Sequence, residues 1–322
     1  MEILPPDTPE NISESVAPQI ILPPSSRSSV LYGPNGLRAG WSIVIYVAVL
    51  ASLFFLVGLE MRWLGPHIPA SMRGARGSSF HPAVAILSEA SALIAVLLAT
   101  AGMAWLEHRR AADYGLAGFD RARQFLLGLV CGFAFLSLLV GILVATHHLT
   151  LTASHMTLGW TLRYAAAWGL AFFLVGITEE FMLRGYLLYT LAGGIRFWPA
   201  AFLLAILFGA LHKGNPGESP FGLVAAALIA LVFSLSLWRI GHLWWAIGFH
   251  MSWDWAESYF YGTADSGGVS AGRLMQAHPH GATLLSGGAT GPEGSVWAAL
   301  IIVLAAVLVW TTQPHRGIQI GK

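Results

Sequence analysis

From residue 41 onward the chain alternates long apolar runs with short polar or Gly/Pro-rich joints. About 17–25 apolar residues cross a bilayer as a helix. That measure predicts eight spans, at 41–59, 82–106, 124–146, 165–192, 197–212, 221–240, 242–258 and 295–312. The expected fold is an all-α polytopic membrane protein, with about eight transmembrane helices around an intramembrane polar cavity. Its parts are a disordered polar tail (1–40), three N-terminal spans (41–150) and a core of four spans (160–260). A Gly/His-rich loop (261–294) and a last span with a short tail (295–322) complete it. The run 160–194 is too long for one upright helix, which predicts a tilt or a break near Gly176 or Gly185. A turn at Gly193–Gly194 would fold spans four and five into an antiparallel hairpin. Gly128 and Gly132 in span three could let two helices approach closely, a pattern that by itself is weak evidence of a dimer.

Composition agrees with this pattern. The chain is 56% hydrophobic and 10% charged, where a soluble domain carries about 25% charged residues. A net charge of +1 gives no reason to expect a nucleic-acid partner. The single cysteine, Cys131, allows no intramolecular disulfide and disfavours a thiolate metal site. No cleavable signal peptide opens the sequence, so the first apolar segment is expected to act as an uncleaved anchor. With the N-terminus inside, the inner segments hold Arg27, Arg38, Arg109, Arg110, Arg121, Arg123, Arg184, Arg196, Arg239, Arg316 and Lys322. The outer ones hold Arg62, Arg73, Arg76, Arg163, Lys213 and Arg273. This bias predicts both termini in the cytoplasm, in the plasma (inner) membrane if the host is bacterial.

Three polar clusters interrupt the apolar spans: "EEFMLR" at 179–184, "FGALH" ending in His212, and "HMSWD" from His250 to Asp254. Intramembrane charges are costly and mark functional sites or interhelical pairs. Glu180 and Arg184 are four residues apart with the acid first, the favourable order for pairing along one helix face. Glu179 is rotated by about 100° and points elsewhere. His250 and Asp254 also share a face. Counting residues from the hairpin turn places Glu179 and His212 at roughly similar depths. The three clusters can therefore meet in one cavity. A carboxylate and an imidazole that share a water can act on it as general base. A second imidazole with a hydrogen-bonding neighbour can stabilise an oxyanion. No serine or cysteine stands out as a nucleophile, so the set suits hydrolysis by water. Taken singly, a Glu–Arg pair is more often interhelical packing, and a helix-end histidine is usually interfacial. Glu89 in span two fits an interhelical hydrogen bond. Trp244, Trp245, Trp253 and Trp255 fit interface or helix packing rather than a substrate cage, and His278 and His280 fit solvated loop positions.

These residues resemble the CPBP family, the CAAX-protease and bacteriocin-processing group that includes the eukaryotic Ras-converting CAAX endopeptidase. EExxxR is present as Glu179 through Arg184, FxxxH as Phe208 through His212, and HxxxN/D as His250 through Asp254, in family order on separate spans. The match covers about 165–258, making 160–260 the CPBP-like catalytic core. The resemblance implies an intramembrane glutamic-type endopeptidase acting on a membrane-associated protein or peptide, with membrane lipid as its other partner. By analogy Glu179 and His212 activate water, Glu180 and Arg184 support the site, and His250 with position 254 holds the oxyanion. Many relatives carry Asn where this chain has Asp254. An ionised Asp254 would repel an oxyanion unless it is protonated or orients His250 as an imidazolium. No cofactor is expected. The less favoured alternative is a zinc ion on Glu179, His212 and His250, although HExxH is absent. Two other functions compete: a non-catalytic scaffold or immunity protein of the same fold, and a proton-coupled transporter. No repeat symmetry supports the transporter.

Overall fold

The apolar runs fold into long helices, α1 (Ala39–Leu64), α2 (Pro82–Leu106), α3 (Arg121–Ala145) and α4 (Leu158–Phe181). After a π-helical turn at Met182–Leu187 come α5 (Leu188–Ile195), α6 (Phe197–Leu211), α7 (Pro220–Ile240) and α8 (Trp244–Asp254). A second π-turn, Trp255–Phe260, extends α8, and the short α9 (Thr283–Ser286) precedes α10 (Val296–Thr312). This computed structural model describes residues 30–33, 36–69, 72 and 79–317. Residues 1–29 of the polar tail, together with Arg73, Arg76 and Lys322, lie outside the described residues.

Among the described residues, six helical stretches are long and apolar enough to cross a membrane: Ala39–His67, Pro82–Leu106, Arg121–Ala145, Leu158–Ile195, Phe197–Gly214 and Pro220–Ile240. The shorter α10 is a further apolar helix among the described residues, whereas α8, only 11 residues long, falls short of a span, so the eight that hydropathy predicts is an approximate count. The chain is an integral, multi-pass, all-α membrane protein. Exposed Leu126, Val130, Phe202, Ile206, Val303 and Val307 give its outer surface the apolar character that lipid requires. Local sequence sets several helix ends. Pro220 opens α7 behind Ser219, whose hydroxyl accepts from Gly222 N at 3.0 Å, and Gly241 closes it in the left-handed region (φ 89°).

The long fourth segment breaks at Gly185, where ψ of −120° interrupts the helix inside the π-turn. Gly176 has a different use. A Cβ there would lie 3.2 Å from Ile247 O, so it lets α4 approach the α8 backbone. The hairpin turn falls later than expected: α5 runs through Gly193 and Gly194, and Arg196 (φ 71°) redirects the chain into α6. Helix α3 lies closest of all to α8. A Cβ at Gly128 or Gly132 would lie 2.2 Å from Trp245 O or Phe249 O, and one at Gly248 would lie 2.2 Å from Phe125 O. The Gly128/Gly132 pair thus serves packing inside the chain, with α8 clasped between α3 and α4.

The segment 261–294 folds back on the helices. Met275–Pro279 pairs antiparallel with Leu149–Ala153, and Val269–Ser270 pairs parallel with Ser79–Phe80. His278 and His280 on this segment are exposed; His280 Nε2 is hydrogen-bonded to Thr150 Oγ1 at 2.8 Å. Trp245 is fully buried, whereas the indoles of Trp244 and Trp255 donate to Leu116 O and Ala165 O, each at 2.9 Å.

Candidate active site

The i,i+4 spacing in "EEFMLR" produces the pair it predicts. The Arg184 guanidinium donates to Glu180 Oε1 at 3.0 Å, and both side chains are buried. Arg184 also lies over the rings of Phe208 (4.6 Å) and Phe233 (5.8 Å). The Phe of FxxxH on α6 thus presents its π-face to the Arg of EExxxR on the neighbouring segment, a contact that strengthens when shielded from water.

His250 comes from α8, at the level set by the glycine contacts with α3 and α4. Its Nδ1 lies 3.1 Å from the same Glu180 Oε1 that Arg184 holds. Its Nε2 lies 3.5 Å from Asp254 Oδ2 and 3.7 Å from Glu179 Oε2. One imidazole thus faces three carboxyl groups, and its ring stacks on Phe233 at 5.6 Å. Ionised carboxylates only accept hydrogen bonds. With all three ionised, protons on both ring nitrogens satisfy this arrangement, which makes the ring an imidazolium.

His212 caps α6. Its Nδ1–H donates to Phe208 O at 2.8 Å, because a carbonyl can only accept. In a neutral ring that bond sets the tautomer and leaves Nε2 with the lone pair. Glu179, His212, His250 and Asp254 line one cavity of about 160 Å³, while Glu180 and Arg184 sit behind it. The structure therefore brings together all six residues of the three motifs, in two layers. Glu179 Oε2, Glu180 Oε2, Arg184 Nη2 and Thr178 Oγ1 are buried without a protein hydrogen-bond partner. Such a group of polar atoms suits a wet cavity.

Sequence reading missed part of the lining. Asn215, Asp265, Ser266 and Glu293 border the same cavity, the last three from the 261–294 segment. A neighbouring cavity of about 590 Å³ between α2 and α4 shares Glu179, Asn215 and Asp265 with it and contains Glu89. Glu89 thus borders the space beside Glu179, and it has no interhelical hydrogen bond among the described residues. Burial, reinforced by Asp254 and Glu293, pushes the Asp265 carboxyl well above its ordinary range. Burial followed by Glu293 also raises Glu218 in the α6–α7 loop. Among the described residues, the one trio of His, Cys, Asp or Glu with donor atoms within 4.8 Å of one another is Glu257, Asp265 and Glu293. Glu179, His212 and His250 do not form such a set in this arrangement.

No curated protein and no solved structure matches the chain. Residues 161–256 match the family model described as Type II CAAX prenyl endopeptidase Rce1-like. That segment contains EExxxR, FxxxH and HxxxD and ends just past Asp254. Residues 161–256 are therefore similar to the CPBP/CAAX protease family.

Proposed function

We propose that this chain is an intramembrane endopeptidase, hydrolysing a peptide bond of a membrane-associated protein or peptide with water activated by Glu179 and His212. The observation that carries the reading is the tautomer of His212. Its Nδ1–H is committed to Phe208 O, so the neutral ring keeps its lone pair at Nε2, and His212 and Glu179 line the same cavity. In this mechanism Glu179, assisted by His212 Nε2, takes a proton from water as its oxygen attacks the carbonyl carbon. The imidazolium of His250 faces the oxyanion of the tetrahedral intermediate. The proton then passes to the amide nitrogen, the C–N bond breaks, and the new carboxylic acid gives its remaining proton to the amine, so that a carboxylate and an ammonium leave.

In this scheme Glu180 and Arg184 are positioning residues. Glu180 accepts from His250 and from Arg184 through the same oxygen, fixing the ring whose other nitrogen meets Glu179 and Asp254. Asp254 orients the imidazolium and compensates its charge, which gives an acid a use where relatives carry Asn. The residues 160–260 act as the catalytic unit, the 261–294 segment covers it, and both termini face the cytoplasm. Metal-free catalysis is the reading we favour, because Glu179, His212 and His250 do not gather around one point.

The test is cleavage of a membrane-tethered reporter by the purified chain, with elemental analysis of the active sample. Wild type is expected to cut, and Glu179→Ala and His212→Ala are each expected to lose activity by about 10²–10⁴-fold. Full cleavage by both variants would sink the mechanism. Stoichiometric zinc in the active protein would replace it with a metallopeptidase. An undiminished cellular phenotype with Glu179→Gln would favour the scaffold reading.

A further inference from the structure

At the rim of the cavity lies a second group of acids that the proposed hydrolysis does not use. Glu257 sits on the π-turn that extends α8, while Asp265 and Glu293 come from opposite ends of the segment 261–294. One carboxylate oxygen from each lies within 4.8 Å of the other two. No Lys, Arg or His forms an ion pair with any of the three among the described residues. Glu257 is the telling member: it is fully buried, and neither of its oxygens has a hydrogen-bond partner. The other two are held in place by single sides. Ser258 Oγ donates to Asp265 Oδ2 at 2.9 Å, and Ser266 donates to Glu293 Oε1 through both N and Oγ, each at 2.8 Å. The second oxygen of each accepts none of these bonds. Gly291 (φ 118°) makes room for the arrangement. A Cβ there would lie 2.2 Å from Ala264 O and 3.0 Å from Glu257 Oε1.

A buried, unpartnered carboxylate aimed at two more needs a positive charge or shared protons. We propose that Glu257, Asp265 and Glu293 bind a hard divalent cation, with Ca²⁺ preferred, which ties the 261–294 segment to the end of α8. All three donors are carboxylate oxygens, a set that favours Ca²⁺, Mg²⁺ or Mn²⁺ over zinc. Ca²⁺ accepts irregular cages built largely of protein carboxylates, whereas Mg²⁺ keeps several of its waters and usually takes only one or two carboxylates, so three gathered carboxylates suit Ca²⁺ better. Asp265 and Glu293 also line the proposed active cavity. The bound cation fixes that wall and offsets the negative charge beside Asp254.

The site is tested on the purified full chain in detergent, stripped with chelator and dialysed against radiolabelled Ca²⁺. One saturable Ca²⁺ per chain is expected, with Mg²⁺ weaker by about tenfold or more. Added Ca²⁺ should raise Tm by a few degrees. Glu257→Gln and Glu293→Gln should each weaken binding by at least about tenfold and abolish the Tm response. If buried Glu257→Gln fails to fold, partly exposed Glu293→Gln still decides the matter. Absence of saturable Ca²⁺ binding in wild type, or wild-type binding by Glu293→Gln, overturns the proposal. A higher Tm of Glu257→Gln with no Ca²⁺ response in wild type would also overturn it, in favour of shared protons. Binding is read without turnover, so its failure and that of the peptidase reading are separable.

Discussion

Adjacent glutamates in "TEEF" should respond in opposite ways to the same substitution. Glu180 is fully buried, and its Oε1 accepts from Arg184 at 3.0 Å and His250 at 3.1 Å. Glu180→Ala leaves the 1%-exposed Arg184 without its counter-charge. Breaking a buried pair in this way costs about 3–5 kcal/mol. At about 2–4 °C per kcal/mol, the thermal midpoint should fall by on the order of 10 °C. Glu180→Gln keeps an acceptor oxygen and should recover part of the loss. Glu179 differs: its side chain is 31% exposed and its Oε2 has no hydrogen-bond partner. Glu179→Ala should shift stability by less than about 1 kcal/mol, yet cost about 10²–10⁴ in cleavage rate. The assay is a detergent thermal melt alongside reporter cleavage at a temperature where both variants are folded. The reasoning fails if Glu179→Ala melts as early as Glu180→Ala and still cuts at the wild-type rate.

Three further outcomes are expected. Gly132→Ala places a Cβ 2.2 Å from Phe249 O and 2.3 Å from Ser252 Oγ, so it should destabilise by about 1–3 kcal/mol in a thermal melt; Gly141→Ala, with open space around it on the same helix, should not. Asp254→Asn preserves size but removes one of the three carboxylates that orient and compensate the His250 imidazolium, so reporter cleavage should slow, with the two remaining carboxylates limiting the loss. An undiminished rate would mean that the acid at this position has no such role. Asp120 accepts from Arg316 at 2.8 Å and lies 3.5 Å from His242 Nε2; these contacts outweigh its desolvation and hold its carboxyl below the ordinary range. A depressed folded pKa gives stability that is present above the unfolded value of about 3.9 and lost as pH falls through the folded value. Hydrogen exchange near Arg316 should therefore accelerate below about pH 4, and Asp120→Asn should flatten that dependence.

What the sequence made legible was local or set by the bilayer. Hydropathy located the helices because lipid demands about the same length of apolar chain from every span. Spacing of four exposed the Glu180–Arg184 and His250–Asp254 relations because both are properties of a single helix. The hairpin turn was misplaced for the converse reason. Gly193 and Gly194 look like breakers, but α5 has its backbone bonds through them, and the reversal is carried by Arg196 in a conformation that side chains rarely adopt.

The remaining features required the third dimension. Glu257, Asp265 and Glu293 share no periodicity, and two of them belong to a stretch whose glycines suggest only a flexible loop. Nothing along the chain says that 261–294 returns to the end of α8; the backbone bond from Leu274 N to Tyr259 O on the π-turn that extends α8 establishes it. The role of Phe208 was hidden in the same way. In a motif it is one apolar letter four positions before a histidine, yet its ring receives Arg184 and its carbonyl holds His212 Nδ1. A single residue on α6 thus joins the buried ion pair to the catalytic candidate. The pattern of four therefore matters twice: it sets the Phe–His spacing on one helix and brings the Glu–Arg pair to meet it from another. Replacing Phe208 with Leu would preserve hydrophobicity and the carbonyl bond but remove the π-face over Arg184, and that face is what distinguishes this position from the apolar residues around it.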